Sequence, residues 1–205
     1  MSYQEMYNNK VCLSGVIVDE PRFSHEIMGE GFYDVTISVK RLSGQDDLIP
    51  LTVSERLMQD ETFETGNLIG VIGQLRSYNR LVGDKSKLVL KVFVRELTEP
   101  DANMPNTIEL SGFVCKPPVY RTTPFKREIA DLLVAVNRAY NKSDYIPAIA
   151  WGRNARYANT FAVGEKIYLE GRIQSRVYQK QLEDGNVEDR TAYEVSVSKL
   201  EILND

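Results

Sequence analysis

Asn9-Lys10-Val11-Cys12-Leu13-Ser14-Gly15 states a pattern that Asn106-Thr107-Ile108-Glu109-Leu110-Ser111-Gly112 restates about 97 residues later. Further blocks keep nearly the same spacing. Val39-Lys40-Arg41 returns as Val136-Asn137-Arg138, and Ile49-Pro50 as Ile146-Pro147. Gly66-Asn67-Leu68-Ile69 matches Gly164-Glu165-Lys166-Ile167, and Gly73-Gln74-Leu75-Arg76-Ser77 matches Gly171-Arg172-Ile173-Gln174-Ser175. A near-constant offset through successive blocks marks an internal duplication. What both copies share reports the fold, and what only one possesses points to function.

The 205 residues fit two small domains of roughly 100 residues each. The boundaries read as 1–99 and 106–205, with a linker over 100–105 between Pro100 and Pro105. Strand periodicity dominates both copies. Val11, Leu13, Gly15 and Ile17 alternate with less apolar neighbours, as do Ile108, Leu110, Gly112 and Val114. Second strands follow at Tyr33, Val35, Ile37, Val39 and at Ala130, Leu132, Val134, Val136. Third strands hold Ile49, Leu51, Val53 and Ile146, Ala148, Ala150; fourth strands hold Ile69, Val71, Gly73, Leu75 and Ile167, Leu169, Gly171, Ile173. Val92 and Val94, matched by Val195 and Val197, form a fifth. One helix per copy is expected between the third and fourth strands, near Glu55 to Phe63 and Arg153 to Phe161. This order predicts an all-β chain of two tandem OB-folds, five-stranded Greek-key barrels with a short helix after the third strand. The second copy is longer between its last two strands, with Asp184-Gly185-Asn186 as the expected hairpin tip.

Composition narrows the function. No apolar stretch is long enough to cross a bilayer, and Met1-Ser2-Tyr3-Gln4-Glu5 has no signal-peptide pattern, so a cytoplasmic protein without membrane contact is expected. Cys12 and Cys115 occupy non-equivalent positions and read as buried, reduced thiols. The single histidine, His25, falls in an expected loop, and neither it nor the separated cysteines make a metal site. Phosphate-loop and nucleophile-elbow motifs are missing, and Asp46-Asp47 and Glu183-Asp184 read as turn carboxylates. No enzyme, cofactor or metal is therefore expected. The net charge of −4 argues against a generic polyanion binder, but the halves differ. Residues 1–105 carry 11 Lys+Arg against 16 Asp+Glu, and residues 106–205 carry 14 against 13.

The copies diverge on one face. With Ile146, Ala148 and Ala150 inward, Tyr145 and Trp151 share the outer side of the third strand. Arg172, Gln174, Arg176 and Tyr178 take the outer side of the fourth, and Tyr140 follows the second. The second copy thus offers Tyr140, Tyr145, Trp151 and Tyr178 interleaved with Arg138, Arg172 and Arg176. The first copy has Ser43, Leu48, Ser54 and Arg80 at the ring positions. A demand of the fold would have kept bulk in both copies. Flat rings and arginines suit an unpaired polynucleotide, since base stacking on an aromatic contributes about 1–3 kcal/mol per base and arginine meets the phosphates. A single outward ring often packs against a loop or a neighbouring subunit; four coincident differences are harder to explain that way. Arg121, Lys126 and Arg127, between the first two strands, are candidate backbone contacts, whereas Arg153 and Arg156 read as solvated surface. Arg76, Tyr78 and Arg80 of the first copy are expected to add at most weak contacts.

Together, Asn106 to Gly112, Leu133-Val134-Ala135-Val136-Asn137-Arg138, Ala148-Ile149-Ala150-Trp151-Gly152 and Tyr168-Leu169-Glu170-Gly171-Arg172-Ile173-Gln174-Ser175-Arg176 resemble the bacterial single-stranded DNA-binding protein family over about residues 106–203. The first copy looks like a diverged version, with Gly15, Asp19 and Pro21 in a family-like opening. In that family stacking rings follow the second strand, flank the third and stand at the base of the hairpin after the fourth. Tyr140, Tyr145, Trp151 and Tyr178 fall on those places. The resemblance implies single-stranded DNA binding without sequence preference or catalysis, in replication, recombination or repair. It also implies assemblies of four OB domains, which a two-domain chain reaches as a homodimer. Family members usually end in an acidic tip that recruits replication and repair proteins; Glu201-Ile202-Leu203-Asn204-Asp205 follows the last strand directly, so recruitment by such a tip is not expected. The first copy, lacking the rings, is expected mainly to support assembly. The alternatives are a primosome-type protein adaptor using the aromatic face for docking, and a binder of single-stranded RNA.

Overall fold

Residues 8–58, 61–182 and 185–204 are described in the computed structural model, and strands make up most of them. The first half runs β1 (Asn9–Ile17), β2 (Arg22–Ile27), β3 (Glu30–Lys40), β4 (Asp46–Ser54), β5 (Leu68–Val82) and β6 (Lys85–Thr98). The second runs β7 (Asn106–Val114), β8 (Val119–Thr122), β9 (Glu128–Arg138), β10 (Lys142–Trp151), helix α1 (Arg153–Ala158), β11 (Lys166–Gln181) and β12 (Val187–Ile202). Strand order is β2-β3-β4-β6-β5-β1-β7-β11-β12-β10-β9-β8, and the further pairings β3–β1 and β7–β9 close each half into a barrel. The chain is all-β, with OB-type barrels in tandem. β4–β6 and β10–β12 pair in parallel and the other ladders are antiparallel.

The opening motif now has a physical explanation. Val11, Leu13, Ile108 and Leu110 fill the barrel interiors. Asn9 uses its side-chain amide as a false ladder rung: Nδ2 donates to Leu75 O at 2.8 Å and Oδ1 accepts from Leu75 N at 2.9 Å. Asn106 does the same to Ile173, at 2.7 and 2.9 Å. Gly15 and Gly112 stand where the first strand of each half crosses its closing partner. A Cβ on Gly112 would lie 2.4 Å from Ala135 O, and one on Gly15 2.7 Å from Ser38 O, so closure demands glycine at both.

Three expectations change. The segments between the first and second strands, read as loops, form the edge strands β2 and β8, which place His25 and Arg121 on strands. All six residues of β2 are exposed, so no buried period was there to be read. The first copy's helix is two short 3₁₀ turns, Glu55–Leu57 and Glu61–Phe63, with 59–60 outside the described residues. In the second copy Ala155 and Ala158 are buried and let α1 lie close against its barrel, whereas Glu55–Leu57 buries none of its residues. Cys12 and Cys115 are free thiols but half-buried rather than buried. The longer hairpin of the second copy is present: Leu182 N–H donates to Asn186 O, and Gly185 has φ 84°. Asp184 of the expected tip, like Glu183, lies outside the described residues.

The barrels meet along β1 and β7, which pair antiparallel from Asn9–Leu110 to Leu13–Asn106. Two carboxylates reinforce the join from opposite sides. Asp47 of the first half accepts from Ser175 N at 2.7 Å, from Ser175 Oγ at 3.1 Å and from Arg41 through both Nε and Nη2. Asp144 of the second half accepts from Ser77 N at 2.8 Å, and Arg138 Nε lies 3.7 Å from it. Burial works to raise both pKa values. At Asp47 the Arg41 guanidinium and the Ser175 donors outweigh burial and hold the carboxyl below the usual carboxylate range. At Asp144 burial prevails over the Ser77 N–H, Arg138 and Arg76, and the pKa is raised.

Candidate functional site

β10 builds the centre of the site. Its inward residues Ile146, Ala148 and Ala150 are buried, and this fixes Tyr145 and Trp151 on the opposite face. Ala148 pairs with Val195 on β12, and Val195 in turn with Ile173 on β11. All three side chains point inward. The outer residues of the same three strands, Trp151 and Tyr145, Glu194 and Ser196, and Arg172, Gln174, Arg176 and Tyr178, therefore share one surface.

All four expected rings meet solvent. Tyr140 is 95% exposed, Tyr145 47%, Trp151 37% and Tyr178 36%. Tyr140 stands in the β9–β10 turn with φ 61°, a left-handed backbone that a ring-bearing residue adopts at a cost, and Asn141 beside it has φ 55°. Gly152, with φ 53°, turns the chain immediately after Trp151 and starts α1. Tyr178 lies on the protruding part of β11, opposite Arg190 of β12, with the Arg176 guanidinium 5.8 Å from its ring centre.

The cations are arranged differently from the interleaved set that spacing predicts. Arg138 has the parity of Val134 and Val136 and turns toward the barrel end, where Asp144 is its neighbour, rather than joining the outer face. Its Nε is buried without a hydrogen bond. Arg172 stands on the outer face but its Nη1 lies 3.7 Å from Asp47 of the first half. Arg176 approaches Glu194 at 4.0 Å. Arg121 grips Asp131 through Nε at 3.0 Å and Nη2 at 2.9 Å. Lys126 and Arg127 form the exposed β8–β9 turn, where Lys126 has φ 59°. Arg121, Arg138, Arg172 and Arg176 thus each have a carboxylate within 4.0 Å, so the surface is ring-rich with largely compensated charge. Arg156 likewise pairs with Glu128 at 2.9 Å.

The first half carries rings at positions other than those four, Tyr78 among them as expected. Phe93 on β6 has the Arg76 and Arg95 guanidinium carbons 4.1 and 5.0 Å from its centre. Phe32 lies 5.7 Å from Phe93, and His25 stacks on Phe32 at 5.0 Å. Tyr78 is exposed and 5.7 Å from Lys91 Nζ. Reading β5 and β6 at period two would have placed Arg76, Phe93 and Arg95 on one face. Arg190 was also missed, since its position opposite Tyr178 depends on the hairpin register. Among the described residues, no group of three or more His, Cys, Asp or Glu is placed to hold a metal ion, and no helix is long and apolar enough to cross a membrane.

Two barrels joined edge to edge, one bearing an open aromatic face, define a tandem OB-fold chain. Residues 105–203 match the model of the Single-strand binding protein family. The match takes in the second barrel, just under half of the chain. Single-stranded DNA-binding protein 1 of Staphylococcus aureus is 34% identical over 85 residues, which cover 38% of this chain and 51% of the relative. The single-stranded DNA-binding protein of Clostridium tetani is 33% identical over 81 residues, covering 36% and 56% respectively. The chain thus spans about half the length of the curated relatives it matches. The wild-type single-stranded DNA binding protein from Thermus aquaticus shares the fold, with a TM-score of 0.75 at 21% identity over 96% of this chain and 93% of that one.

Proposed function

We propose that this chain binds single-stranded DNA without sequence preference, stacking bases on Tyr140, Tyr145, Trp151 and Tyr178 of the second barrel. The observation that carries this reading is the solvent exposure of all four rings, three of them on or beside one outer face. The names of the Staphylococcus and Clostridium relatives support the same ligand. Stacking contributes about 1–3 kcal/mol per base, so four rings offer on the order of 4–12 kcal/mol before the ordering of a flexible strand is subtracted. Lys126 and Arg127 contact phosphates directly, while Arg121, Arg172 and Arg176 border the strand with their carboxylates retained. Arg138 acts from the barrel end beside Asp144. The first barrel supports assembly, and a homodimer brings four barrels together. Exposed Leu68 and Phe113, on the sheet faces turned away from the two cores, support that association. The roles are cytoplasmic and lie in replication, recombination or repair.

A titration of fluorescent oligo-dT at low salt tests the reading. Sub-micromolar binding with quenching of the Trp151 emission is expected. Binding no tighter than millimolar would end it, and tighter binding to the matching RNA oligonucleotide would reassign the ligand.

A further inference from the structure

Ser77 belongs to β5 of the first barrel, yet it holds the backbone of the second barrel's site. It is nearly buried. Its N–H donates to Asp144 Oδ1 at 2.8 Å, and its Oγ accepts from the Tyr145 backbone N–H at 2.7 Å. β10 is thereby pinned between β9, where Tyr145 pairs with Ala135, and the neighbouring barrel. The pin lies at the root of a stacking ring, and Asp144 also neighbours Arg138, two residues before Tyr140.

The pseudo-symmetric contact uses the serine hydroxyl differently. Ser175 of the second barrel also meets the opposing carboxylate through its N–H, but its hydroxyl donates to Asp47 as well. Leu48 stands there in the place of Tyr145. Only on the side where a ring follows the carboxylate does the serine hydroxyl take up the ring residue's N–H.

The geometry points to Ser77 as a positioning residue for nucleic-acid binding: the first barrel, through this hydroxyl, fixes the main chain that presents Tyr145 to a base. The inference rests on the proposed stacking role of Tyr145. A platform already held in place loses less freedom when a strand docks, and that difference appears as affinity.

A double-substitution cycle on the full chain with labelled oligo-dT tests it, with thermal midpoints measured in parallel. Ser77→Ala is expected to weaken binding by about 2- to 10-fold, the scale of one net hydrogen bond. Tyr145→Ala weakens it further. The double variant should bind no more weakly than Tyr145→Ala alone, because the hydroxyl has no ring left to place. Ser77→Thr, which keeps the oxygen, should restore binding. Losses that add across the two sites would show that Ser77 acts on the fold and would overturn the inference. Parent-like binding of Ser77→Ala beside a weakened Tyr145→Ala would overturn it too, leaving the stacking reading intact. Parent-like binding of Tyr145→Ala would remove this ring from the site and the inference with it. Should Ser77→Ala fail to fold, hydrogen exchange in the unaltered chain decides: a protected Tyr145 amide is expected, and exchange at the rate of a solvated amide refutes the contact.

Discussion

Trp151 and Tyr178 bracket the outer face, one at the end of β10 and the other on the protruding hairpin. Each is more than a third exposed, so its removal takes little from the core. Trp151→Ala combined with Tyr178→Ala is expected to weaken oligo-dT binding by about 2–6 kcal/mol, with thermal midpoints close to the parent's. Equal losses of midpoint and affinity would make the rings structural. At this scale the rings were legible in the sequence and the charges were not. Period two and the second copy located Tyr145 and Trp151, because inward neighbours dictate outward ones. The neighbours of Arg172 and Arg138 could not be read, since Asp47 lies on the other barrel and Asp144 reaches Arg138 only across the β9–β10 hairpin.

Among the elements, the strands filling each barrel were legible because one of their faces is buried. β2 and β8 were not, being edge strands: β2 is exposed throughout and β8 turns only Tyr120 toward the core, too little to impose a pattern. The first copy's expected helix has little to anchor it, since Glu55–Leu57 has no buried residue whereas α1 buries Ala155 and Ala158. Closure itself is testable. Gly112→Ala forces a methyl against the Ala135 carbonyl and should destabilise the chain by about 1–3 kcal/mol in a urea titration. The strand contacts at the join make a second test. The Asp47 carboxyl is held below its ordinary range, so its stabilisation is complete above the unfolded value of about 3.9 and fades as the pH falls through the lower folded value. Replacing it, as Asp47→Ala, leaves Arg41 without its partner and should cost about 3–5 kcal/mol at neutral pH. The gap in thermal midpoint between parent and variant should narrow below about pH 4. A gap that widens on acidification would contradict this account of Asp47.

For the whole molecule, the decisive quantity is the balance between stacking and charge. With a net charge of −4 and a carboxylate beside each of Arg121, Arg138, Arg172 and Arg176, few phosphates are neutralised outright. Since each contributes about 0.7 to the log–log salt slope for a single strand, a slope of magnitude about 2 or less is expected. A much steeper slope would mean that the arginines abandon their carboxylates on binding. Duplication was the most legible property of all, whereas the pairing of β1 with β7 left no trace in either copy's pattern, because one ladder edge resembles another. That seam has a genetic consequence. In an assembly of identical subunits every substitution appears on all faces at once, so no face can specialise without its twin following. Fusing the two barrels into one polypeptide lifts that obligation, and a ring gained or lost in one barrel need never be copied in the other.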